Sequence, residues 1–102
     1  MLDIRMERKR ELKKLMCYHN ISLQGKNICF TTQNRAGLLK ELETFKVDPN
    51  KNLAENRTAY YQARAGLFLI SGDYYYIKKI DTRTDGFSEV LLHQLNEKYL
   101  KK

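Results

Sequence analysis

The stretch Leu67-Phe-Leu-Ile-Ser71, Gly72-Asp73, Tyr74-Tyr-Tyr-Ile-Lys-Lys-Ile80 constrains the fold more than any other part of this chain. Two apolar or aromatic runs flank a Gly-led two-residue link, the pattern of a β-hairpin closed by a type I′ or II′ turn. A lone two-stranded hairpin is marginal in water, so this one needs a larger sheet or a covering helix. Strand alternation sets Tyr74 and Tyr76 on one face and Tyr75 with Ile77 on the other. Ile77 and Ile80 fall on opposite faces, so the pattern alone does not name the buried side. We read Phe68, Ile70, Tyr75 and Ile77 as inward, which leaves Tyr74 and Tyr76 facing outward beside Lys78.

A second hairpin is expected at Ile21-Ser-Leu-Gln24, Gly25-Lys-Asn27, Ile28-Cys-Phe-Thr-Thr32, where Gly and Asn accept positive φ between two β-prone runs. Asn34 can cap a helix with the stripe Leu38, Leu39, Leu42 and Phe45, stopped at Val47-Asp48-Pro49 because a residue before proline leaves the helical region. Residues 48–56 read as a polar loop. Asn52 with Glu55 resembles a capping box and Gly66 suits a C-terminal cap, which predicts a helix over 53–65. Thr58, Tyr60 and Tyr61 pull that segment toward strand. Asp81–Gly86 reads as a loop, and Ser88 or Asp85 can cap a last helix carrying Phe87, Val90, Leu91, Leu95 and Tyr99. At the other end, Ile4, Leu12, Leu15 and Met16 give residues 3–18 one apolar helical stripe.

These elements predict one α+β domain over residues 1–102, ordered α-β-β-α-(α)-β-β-α, with helices on one side of an antiparallel sheet. Its parts are a basic N-terminal helix (1–20), a ββα unit (21–47), a loop with an uncertain helix (48–66) and a second ββα unit (67–102). The two ββα units echo each other when Gly25 is set against Gly72, an architectural likeness almost without identities.

Charge narrows the partners. The chain carries a formal net charge of +7, of which residues 1–20 hold +3 through Arg5, Arg8, Lys9, Arg10, Lys13 and Lys14. Such a field attracts polyanions, either nucleic acid or an acidic protein surface. No apolar run reaches the ~18 residues of a membrane span, and the charged N-terminus is unlike a signal peptide. Two cysteines, Cys17 and Cys29, are too few for a secreted disulfide scaffold, so a cytoplasmic chain with reduced, structural thiols is expected.

Motifs for chemistry are missing from the sequence. The EF-hand spacing tested on Asp81–Gly86 fails, since Arg83 stands at the third position and Leu92 at the twelfth. His19 and His93 lack a His or Cys at i+3 or i+4, so no metal is expected. There is no G-x-S-x-G elbow, P-loop or G-x-G-x-x-G string. A Cys–His pair needs the fold to bring Cys29 to His93. Paired carboxylates would have to come from Asp73, Asp81, Asp85 and Glu89. Binding without catalysis or cofactor is the expectation.

Aromatics are the remaining resource. Five of the seven tyrosines lie within residues 60–76. Tyr74 and Tyr76 beside Arg64, Lys78 and Lys79 would make a platform for unpaired bases, with the first helix on phosphates. The same residue types suit a protein hot spot, so the rival reading is an interaction module that meets an acidic groove of a nucleic-acid enzyme, as small basic phage and mobile-element proteins can.

Overall fold

The computed structural model describes residues 19–54, 56–64 and 66–100. The expected first helix, with Arg5 to Lys14 and Cys17, lies outside them.

Six antiparallel strands form a single sheet in the order β1-β2-β6-β5-β4-β3. They are β1 (Asn20–Gln24), β2 (Asn27–Thr32), β3 (Lys46–Val47), β4 (Leu67–Ile70), β5 (Asp73–Thr82) and β6 (Ser88–Gln94). Helix α1 (Arg35–Leu42), a short α2 (Pro49–Asn52) and α3 (Arg57–Ala63) lie between β2 and β4. The α+β class holds, and both hairpins form. Gly25 opens the first turn with φ 63°, as a type II′ turn requires. The second turn is Ser71-Gly72 rather than Gly72-Asp73, since Ile70 pairs with Asp73 and the two linking residues have φ 52° and 83°. Two consecutive positive φ values are the type I′ condition.

The expected last helix is instead β6. This strand is the weld between the hairpins, with Cys29 of β2 opposite Leu91 on one side and Ile77 of β5 opposite Leu92 on the other. Ser88, Val90 and Leu92 are buried, while Glu89, Leu91 and His93 are half-buried on the other face. The Val90, Leu91, Leu95 spacing also fits a helix, but pairing on both edges satisfies the backbone of a strand and decides the matter. Residues 67–100 are therefore three strands and a terminal 3₁₀ turn, and the ββα echo ends with its hairpins.

Helices cover both faces of the sheet, not one. On the first face, Leu38 and Leu42 of α1 pack with Ile28, Phe30, Phe68, Ile70, Tyr75, Val90 and Leu92. On the second, Ala59 and Ala63 of α3 pack with Leu53, Leu67, Tyr76 and Leu95. The inward set of Phe68, Ile70, Tyr75 and Ile77 is as expected. One correction concerns Ile80. A bulge at Lys78 lets Ile77 pair with Leu92 and Ile80 with Val90, so both isoleucines share the first face.

Caps explain the helix starts. Asn34 Oδ1 accepts from Gly37 N at 3.0 Å, as expected for α1. The start of α3 is shifted from the Asn52 and Glu55 reading. Asn56 is its cap, with Oδ1 accepting from Thr58 N at 2.9 Å and Ala59 N at 3.2 Å. The loop expected over 48–56 contains α2, which Asp48 caps through Asn50 N at 2.9 Å.

Candidate functional site

Of the expected tyrosine platform, only the shared face is present. Tyr74 and Tyr76 do project together, but onto the face that α3 covers. Tyr76 is 8% exposed within the second core and Tyr74 is half-buried against it. Burial also raises the Tyr76 phenol above its ordinary value. An open pair of rings on β5 therefore does not exist. Lys78 and Lys79 are exposed beside them, yet Lys79 is held by Asp81 at 3.0 Å, whose hydrogen bond and charge raise the ammonium pKa. Arg64 is exposed, but it belongs to the end of α3 rather than to the hairpin.

The rings that face solvent are on α3 itself. Tyr60 is 44% exposed and Tyr61 61%, and they meet edge to face with centroids 6.1 Å apart. Helical geometry accounts for this. Ala59 and Ala63, an i,i+4 pair, are fully buried and let the helix lie close against Leu67 and Tyr76. Arg57, Tyr60, Tyr61 and Arg64 follow i, i+3, i+4, i+7 and form the opposite stripe, and all four are exposed. Neither arginine is paired with a carboxylate among the described residues. The spacing is readable within the helix expected over 53–65, where the strand tendency of Thr58, Tyr60 and Tyr61 competes with it.

At the start of this stripe, Ala54, Asn56, Arg57, Tyr60 and Tyr61 line an open cleft of about 610 Å³. Its size is ordinary for a small-molecule or base-sized ligand. The strap beneath it is anchored, because Ala54 N–H donates to the Tyr99 carbonyl at 2.6 Å and Leu53 bridges Leu100.

Elsewhere one described polar atom stands out: Glu41 Oε2 is buried without a hydrogen-bond partner, 4.0 Å from His19 Nε2. Cys29 is a free thiol on β2, paired across the ladder with Leu91, and His93 lies two residues further along β6. Burial, then the Glu89 charge, raises the thiol pKa, while burial, then Lys78, lowers that of His93. A protonated thiol near a neutral imidazole is the reverse of an activated nucleophile. Arg83 reaches Asp85 of the β5–β6 loop at 2.7 Å and Glu89 of β6 at 3.6 Å. Among the described residues no three His, Cys, Asp or Glu side chains cluster as metal ligands. Buried His19 bonds Thr32 Oγ1 through Nδ1 at 2.6 Å, and Thr32 Oγ1 accepts from Asn34 N at 2.9 Å. That relay fastens the start of β1 to the cap of α1.

No described helix is long and apolar enough to cross a membrane. Comparison with known families, with curated proteins and with solved structures finds no match to this chain.

Proposed function

We propose that this chain is a non-enzymatic nucleic-acid-binding protein that takes unpaired strands on the Arg57-Tyr60-Tyr61-Arg64 face of α3. One observation carries the reading. Two adjacent exposed tyrosine rings stand between two exposed arginines that have no carboxylate partner among the described residues. Base-on-ring stacking tolerates any sequence and is worth about 1–3 kcal/mol per base, while the arginines supply phosphate contacts. Arg57 and Arg64 are seven residues apart, a rise of roughly 10 Å, which matches about three stacked nucleotides. The net charge of +7, of which residues 1–20 hold +3, adds attraction that depends on no sequence.

Binding of a labelled single-stranded 12-mer, followed by fluorescence anisotropy over a salt series, tests this. Tyr60→Ala with Tyr61→Ala should weaken binding at least about tenfold. Arg57→Gln with Arg64→Gln should flatten the salt dependence, by about 0.7 in log–log slope for each lost contact to a single strand. Unchanged affinity and slope in these variants would remove α3 from the interface. If the native chain binds no oligonucleotide but captures an acidic protein, the protein-interaction reading replaces this one.

A further inference from the structure

We infer that this chain forms a symmetric dimer through the outer edge of β1, so that two six-stranded sheets join into one. The two ends of the sheet are unlike. β3 is only two residues long, carries exposed Lys46 and runs into Asp48-Pro49. Shortness, lysine and a nearby proline are the usual devices that keep an edge from pairing. β1 has none of them. Asn20-Ile-Ser-Leu-Gln24 is five residues without charge or proline, and among the described residues it pairs with β2 alone. Ile21 and Leu23 are half-buried at the margin of the first core, while Phe30 and Ile28 opposite them on β2 are fully buried. A further strand along β1 covers that margin.

The register fixes which backbone groups such a strand meets. Gly25 and Lys26 link Gln24 to Asn27, and a two-residue turn closes on a hydrogen-bonded pair. Antiparallel pairs alternate, so Ser22 and Cys29 are also a hydrogen-bonded pair, and the N–H and C=O groups of Ile21 and Leu23 point away from β2. A second copy of β1, turned by a two-fold axis at Ser22, brings its Leu23 to Ile21 and its Ile21 to Leu23, where those groups lie. The same rotation sets Asn20 against Gln24 and Ser22 against its own counterpart on the second face. Apolar meets apolar, amide meets amide, and no like charges oppose one another despite the net charge of +7. This self-complementarity is what names a second copy as the occupant. The axis runs perpendicular to the sheet, so both copies of α3 lie on the same side of the joined sheet.

Analytical ultracentrifugation of the native chain, from about 5 to about 500 μM and without nucleic acid, tests this over the range a small interface calls for. The mass should rise with concentration from 12.1 kDa toward twice that value. The Ile21 and Leu23 amides should exchange with solvent more slowly as concentration rises. Ser22 is exposed, and Ser22→Lys or Ser22→Glu would each face its own copy, weakening the dimer about fivefold or more by like-charge repulsion. Equal amounts of the two variants mixed together should restore association, because only this register sets Ser22 against Ser22. Urea midpoints at the lowest concentration check that both variants fold. A native chain that stays monomeric throughout overturns the inference. So does a dimer indifferent to charge at Ser22, or one that mixing fails to rescue. Protection of the Ile21 and Leu23 amides that is the same at every concentration overturns it too, since the edge is then filled from within the chain. Because no oligonucleotide is present, none of these outcomes bears on the function proposed above.

Discussion

Two tyrosine-rich segments of this chain meet opposite fates. On β5, Tyr75 is fully buried in the first core, Tyr76 is buried in the second, and Tyr74 is half-buried beside it. On α3, Tyr60 and Tyr61 remain largely in solvent. Residue type does not separate them; what lies opposite does. A strand alternates its side chains between two faces, and this sheet is covered on both sides near β5, so successive rings are buried in turn. A helix confines its buried side to one stripe, and α3 fills that stripe with Ala59 and Ala63. Large rings on its other face are left without a place in the core. Function is accordingly sought where an aromatic side chain could have been replaced by a polar one at little cost to folding.

The largest expected effect tests the strand half of that contrast. Tyr75→Ala removes a fully buried ring from among Phe68, Ile70 and Leu92 and should cost about 3–5 kcal/mol in urea unfolding. Tyr61→Ala should stay within about 0.5 kcal/mol of the native chain, as surface substitutions do. A costly Tyr61→Ala beside a harmless Tyr75→Ala would invert the comparison.

The helix half is tested by size rather than by loss. Ala63 faces Leu67 and Tyr76 with no exposed surface, so Ala63→Leu forces extra volume under α3 and should cost about 1–3 kcal/mol. The neighbouring Gln62→Leu points to solvent and should be nearly neutral. Equal effects at 62 and 63 would mean that α3 is not seated on its alanines.

How much of this was legible before the fold is clear from particular residues. Both hairpins announced themselves through Gly25 and Gly72, whose positive φ values only a turn accommodates. The cap at Asn34 was legible for the same local reason, an amide-bearing residue just before an apolar helical stripe. Ser88-Glu-Val-Leu-Leu-His-Gln94 was not. Only Val90 in it is β-branched, and its strand state depends on partners about sixty residues away on β2, which no local period encodes. The bulge at Lys78 was hidden likewise, because it is set by the pairing of β5 with β6. For the site, the basic and aromatic ingredients were legible, but the face was wrongly assigned. Choosing it required knowing that α3 would occupy the outer side of Tyr74 and Tyr76.

The smallest effect concerns the far side of Tyr76, where its ring meets His93 of β6 edge to face at 6.0 Å. His93 is lowered below the ordinary 6.5, first by burial and then by the Lys78 charge on the neighbouring bulge. The folded chain therefore binds this proton less readily than the unfolded chain does. As pH falls below about 6.5 the unfolded state takes up the proton first, and stability drops across the window down to the folded-state value. His93→Gln keeps a polar side chain of similar reach but cannot charge. The loss in unfolding free energy between pH 7.5 and 5.5 should consequently be smaller in His93→Gln than in the native chain. Lys78→Gln should also shrink that loss, though by less, because burial is the larger cause. Identical acid-side losses in the native and His93→Gln proteins would show that water reaches the imidazole freely, and that Tyr76 closes its side of the sheet less fully than its burial implies.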